Sequence, residues 1–103
     1  MNHDLVGLEI LRLVAAERKR QYKLLTEGRF SLDVGDPNVP EGGKMMVLAE
    51  EFGEVAKAAV AIYDPKDPKA GPGPMEYSAL LTELIQLAAV ACAWAEAISK
   101  DDY

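Results

Sequence analysis

Val47-Leu48-Ala49-Glu50-Glu51-Phe52-Gly53-Glu54-Val55-Ala56-Lys57-Ala58 is the stretch that decides the fold. Its apolar residues recur at intervals of three and four, the period of an α-helix. At about 100° per residue, with Glu50 at zero, Glu54 falls at about 40° and Glu51 at about 100°, so three carboxylates share one arc. Leu48, Phe52, Val55, Ala59 and Ile62 fall at about 120–200° on the same wheel. The helix is expected to pack by that side and to present acid from the adjoining one.

A second acidic motif, Glu83-Leu84-Ile85-Gln86, follows a loop rich in proline and glycine. Glu83 and Gln86 are three apart and so neighbours on one helix face. A carboxylate taken out of water needs a partner or a metal. No Lys or Arg stands between Lys69 and Lys100 to pair Glu83 locally. Two such faces brought together make an oxygen-lined cleft suited to Mg²⁺ or Mn²⁺, which also bridge phosphate oxygens.

The chain at this point resembles the MazG-like all-alpha nucleoside triphosphate pyrophosphohydrolases, whose signature is an EExxE helix followed by an ExxD helix. Glu50, Glu51 and Glu54 match the first part and Glu83 the second. Gln86 stands where the family has Asp, an amide oxygen that can ligate but carries no charge. The likeness runs from about Arg18 to Ile98. It implies that Glu50, Glu51, Glu54, Glu83 and Gln86 form the metal shell and that a (d)NTP is hydrolysed at its α-phosphorus to a (d)NMP and pyrophosphate. Glu54 and Glu51 are the expected catalytic pair, with Glu51, at the edge of the arc, as general base. Lys57, near Glu50 and Glu54 on the wheel, meets a phosphate or pairs with a glutamate. Lys44 flanks the same stretch. On the first helix, Arg18 and Gln21 in the basic run Arg18-Lys19-Arg20 reach the substrate or stand as a solvated face. A helical oligomer that kept the bundle and lost the chemistry, acting as a nucleotide-binding or protein-interaction module, is the alternative. A di-iron carboxylate bundle needs Glu-x-x-His pairs; the chain's one histidine, His3, lies in no such motif.

Outside the motifs the chain reads as one all-α domain of 103 residues. The first helix is expected over about Asp4–Thr26, with Leu5, Leu8, Leu11, Ala15, Tyr22 and Leu25 as its stripe and Gly28 as its stop. An irregular connection over Arg29–Gly43 is placed where it could cover a ligand. The second helix begins near Glu41 to Lys44 and ends near Tyr63. Asp64–Pro74 contains four prolines and two glycines and forbids regular structure. The third helix spans about Met75–Lys100. Leu84–Ala95 has Gln86 as its one polar residue, and a helix apolar on all sides must be covered on all sides. Three helices cannot cover it, so homo-oligomerisation into a four-helix-type core is expected, as a dimer or tetramer. A membrane span is set aside because Glu83, Gln86 and Glu96 interrupt the run. A net charge of −6 disfavours nucleic-acid polymers, whereas bound Mg²⁺ makes the cleft locally attractive to a nucleotide. Cys92 reads as core packing. With no secretory pattern at Met1-Asn2-His3-Asp4, a cytoplasmic protein is expected.

Overall fold

The computed structural model describes residues 3–28, 33–62 and 74–102, with the backbone alone at 3–5, 74, 101 and 102. It is all-helical: α1 (His3–Thr26), α2 (Glu41–Ile62) and α3 (Pro74–Asp102). The bounds agree with the sequence reading to within one or two residues at each end. Of the expected irregular stretches, Arg29–Gly43 and Asp64–Pro74, residues 29–32 and 64–73 lie outside the described residues, as does Tyr63, the expected end of the second helix.

Local chemistry sets the helix ends. After α1 the Glu27 and Gly28 amides donate to the Lys23 and Leu25 carbonyls at 3.1 and 3.0 Å. Gly28 adopts φ 75°, the left-handed turn that glycine enters without a Cβ penalty. Ahead of α2 the Pro40 carbonyl accepts the amides of Gly43 and Lys44 at 3.0 and 3.2 Å. Glu41 then places a carboxylate against the positive end of the helix. Between them, Asp33 Oδ1 accepts the Gly35 amide and Asp36 Oδ1 accepts the Asn38 amide, each at 2.9 Å. These two consecutive Asx turns carry Val34 into the core.

α3 is the central element. It packs against both α1 and α2, which do not pack against each other. The core is small among the described residues: Val14, Val34, Ala89, Val90 and Ala97.

The helices are rotated from their expected orientation, and the rotation places the site. On α2 the shielded face consists of Lys44, Val47, Leu48, Glu51, Val55, Ala58 and Ile62. Phe52 and Ala59, expected in the packing stripe, face outward, Phe52 at 63% exposure. Glu51 therefore sits inside the packed face. On α1, Leu8, Leu11, Ala15 and Tyr22 are exposed, and the shielded residues are Val14, Glu17, Arg18, Gln21, Leu24 and, as expected, Leu25. Leu48, Val55 and Ile62 of α2 lie on the shielded face as expected, and apolar periodicity misplaced the others because each helix carries apolar residues on more than one side.

The second faces stay open. On α3, Tyr77, Leu81, Leu84, Ala91, Ala95 and Ile98 are exposed. With half-buried Ala88 they repeat at alternating steps of four and three, the spacing of a coiled-coil seam. Met45, Ala49, Phe52, Ala56 and Ala59 repeat the same spacing on α2 and are likewise exposed. Cys92, expected in the core, is exposed. Met75–Lys100 is also long and apolar enough to cross a membrane by length and composition alone, with mean hydropathy 1.5; charged residues did not remove it from that class.

Candidate carboxylate site

The rotation of α2 brings Glu51 toward α3, where Glu83 is also half-buried. The Oε2 atoms of Glu51 and Glu83 are both buried without a hydrogen-bond partner. Such an atom has lost water and gained nothing in exchange, a cost of about 1–3 kcal/mol, and more for an ionised group. Burial pushes the Glu51 carboxyl above its ordinary range, and the charges of Glu83, Glu17 and Glu54 push it the same way. Arg20 is the cation acting against them.

The third helix of the cluster supplies Glu17, which the sequence reading passed over. Its carboxylate accepts Arg20 Nε on Oε1 and Arg20 Nη2 on Oε2, both at 2.7 Å. Gln21 Nε2 donates to the same Oε2 at 3.0 Å and lies 3.4 Å from the Gln86 carbonyl oxygen. The side chain of Glu17 is only 11% exposed. Each helix thus contributes a carboxylate to one neighbourhood. A reading that phased α1 on Val14 rather than on Leu8 and Leu11 would have found Glu17, Arg18 and Gln21 on one arc.

Of the expected metal shell, Glu51 and Glu83 are brought together, Gln86 is half-buried on the same helix as Glu83, and Glu50 and Glu54 are exposed. Among the described residues no three His, Cys, Asp or Glu side chains converge as a metal-holding group. The chemistry of the donors is that of a hard divalent cation's ligands, two buried carboxylate oxygens without hydrogen-bond partners.

Beside the cluster lies a cavity of about 620 Å³ whose wall includes Glu50 and Glu51 from α2, Arg18, Gln21 and Tyr22 from α1, and Val34 from the connecting turns. Arg18 and Gln21, expected at the substrate, line it. Arg18 forms a two-pronged pair with Glu96 across α1 and α3, Nη1 donating to Oε1 at 2.6 Å and Nη2 to Oε2. That pairing holds the Glu96 carboxyl below its ordinary range. Lys57 is exposed and outside this wall. Lys44, also expected at the substrate, is 1% exposed. Its Nζ lies 3.8 Å from Glu41 Oε1, and Glu41 accepts the indole N–H of Trp94. Lys44 and Trp94 thus belong to a junction between the start of α2 and α3, away from the cavity wall.

No protein-family model, curated protein or solved structure matches this chain.

Proposed function

We propose that the chain is a Mg²⁺- or Mn²⁺-dependent nucleoside triphosphate pyrophosphohydrolase, converting (d)NTP and water to (d)NMP and pyrophosphate. The observation that carries this reading is the pair of buried, unpartnered carboxylate oxygens on Glu51 and Glu83 beside a cavity large enough for a nucleoside. The cavity walls combine apolar side chains with Arg18 and Gln21. Arrival of a cation would relieve the repulsion that raises the Glu51 pKa.

In this reading Glu51, Glu83 and Glu54 hold the ion, with Glu50 at the cavity edge and Gln86 as a neutral ligand. When bound, the divalent ion neutralises phosphate charge and acidifies a water for attack on phosphorus. Glu51 would accept the proton of the attacking water. Arg18 and Gln21 orient the nucleotide from α1, and Lys57 sits at the solvent edge for the phosphates. The open seams on α2 and α3 are covered by a second copy, giving a four-helix-type core in a dimer or tetramer. That cover makes α3 the centre of a soluble, cytoplasmic assembly rather than a span, with no role for nucleic-acid polymers.

Pyrophosphate release from a panel of canonical and modified (d)NTPs, with Mg²⁺ or Mn²⁺, tests the proposal. Metal-dependent release that Glu54→Ala and Glu83→Ala lose supports it. A folded protein that releases none supports the second reading, a nucleotide-binding or protein-interaction module, which Gln86 in place of the family's Asp favours.

A further inference from the structure

The exposed seam of α3 is graded in size. Its N-terminal half carries Tyr77, Leu81 and Leu84, exposed at 56, 42 and 44%. Its C-terminal half carries exposed Ala91 and Ala95, with Ile98 beyond them, and half-buried Ala88 lies midway. At about 100° per residue, all of these fall within about 80° of Ala88 on the helical wheel, so they form one stripe about 32 Å long. The charge nearest the stripe, Glu96 at its margin, is held by Arg18 of its own chain. Covering the stripe therefore strands no charge.

The surface left open is large enough for a stable interface. The chain exposes 7668 Å², about 2,000 Å² more than its mass of 11.2 kDa predicts for a folded monomer. Even half of that excess is more than the roughly 800 Å² per partner of a standard interface. The small core of Val14, Val34, Ala89, Val90 and Ala97 gives the same indication.

We propose that α3 pairs antiparallel with α3 of a second copy about a two-fold axis at Ala88. A two-fold axis makes a patch meet itself, so that residue i of one copy touches j of the other and j touches i. A seam graded from large to small is complementary to its own reverse. Leu84 then faces the partner's Ala91, Leu81 the partner's Ala95 and Tyr77 the partner's Ile98, each pair occurring twice, while Ala88 meets its own copy. A parallel pair would instead set Leu81 on Leu81 and Ala95 on Ala95, crowding one end and leaving the other unfilled, and close-packed interiors tolerate neither. The inference takes from the reading above only the second copy that covers the seam, and it fixes that copy's direction and register.

Cysteine cross-linking in a Cys92→Ser background tests it, with sedimentation for the oligomeric state and circular dichroism for the fold. A disulfide needs Cα atoms within about 7 Å. Ala88→Cys is expected to link to its own copy under mild oxidation. Ala95→Cys, about 20 Å from its own copy when the helices run antiparallel, stays unlinked alone and links when mixed with Leu81→Cys. Ala95→Leu sets a leucine against the partner's Leu81 at two places and weakens the dimer by about tenfold or more, whereas in a parallel pair it fills the gap and tightens the dimer. Self-linking of Ala95→Cys, a tighter Ala95→Leu dimer, or a folded dimer in which Ala88→Cys does not link overturns the proposal. A wild-type chain that stays monomeric removes it together with the cover proposed above. None of these results depends on pyrophosphate release, so the hydrolase reading stands or falls separately.

Discussion

Glu51 on α2 and Glu83 on α3 each bury one carboxylate oxygen with no partner, and the charge of Glu83 helps to push the Glu51 carboxyl above its ordinary range. Folding has thus assembled a local excess of negative charge in a chain of modest size. Perturbed carboxylates of this kind cluster at functional sites.

Relief of that repulsion is measurable without any substrate. Glu51→Gln removes one charge and keeps the shape, and in chelator-treated protein it should raise stability by about 1–2 kcal/mol, or roughly 4–10 °C in Tm. Thermal unfolding followed by circular dichroism reads this directly. Mg²⁺ should stabilise the wild type and lose that effect in Glu51→Gln. A Tm that falls in the variant would contradict the buried-repulsion account.

The pH dependence has two limbs of opposite sign. The raised pKa of Glu51 favours its protonated form in the folded state. Its contribution to stability is therefore full below the ordinary value of 4.5 and is lost as pH rises through the raised value. Glu96, lowered by Arg18, contributes stability above the ordinary value that is lost as pH falls through its lowered one. Tm scans of metal-free protein should show both declines, with Glu51→Gln abolishing only the one on the alkaline side.

Lys44 invites a different substitution. It is buried with Glu41 at 3.8 Å as its ionic contact, and isosteric apolar replacement of a poorly paired buried charge is often neutral or stabilising. Lys44→Met should leave Tm unchanged or raise it by about 1 kcal/mol of stability and leave pyrophosphate release intact. Loss of release in a folded variant would return Lys44 to the substrate.

Gln86→Asp supplies the charge that the resemblance leads one to expect at that position. Divalent-ion affinity should rise by about tenfold, in line with one added carboxylate near a partly buried site, and turnover should rise with it. Titration calorimetry that finds no change places the Gln86 side chain outside the ion's reach.

The open seams predict self-association. Sedimentation of the wild type should give a dimer or tetramer, and Leu84→Glu or Phe52→Glu should shift it toward monomer with a lowered Tm. A monomeric wild type would leave the apolar stripes of α2 and α3 without the proposed cover.

The three helices and their ends were legible because they depend on local chemistry: apolar repeats and Gly28 at a left-handed turn. The acidic motifs were legible for the same reason, as was the nearness of Glu83 and Gln86 on one face. Only the tertiary structure decided which face of each helix turns inward. Each helix is apolar on more than one side, so hydrophobic period alone leaves its rotation undetermined, and the choice falls to the packing of α1 and α2 on α3. That choice placed Glu51 inside the packed face and Phe52 outside it, buried Lys44 beside Glu41, and brought Glu17 of α1 into the carboxylate cluster.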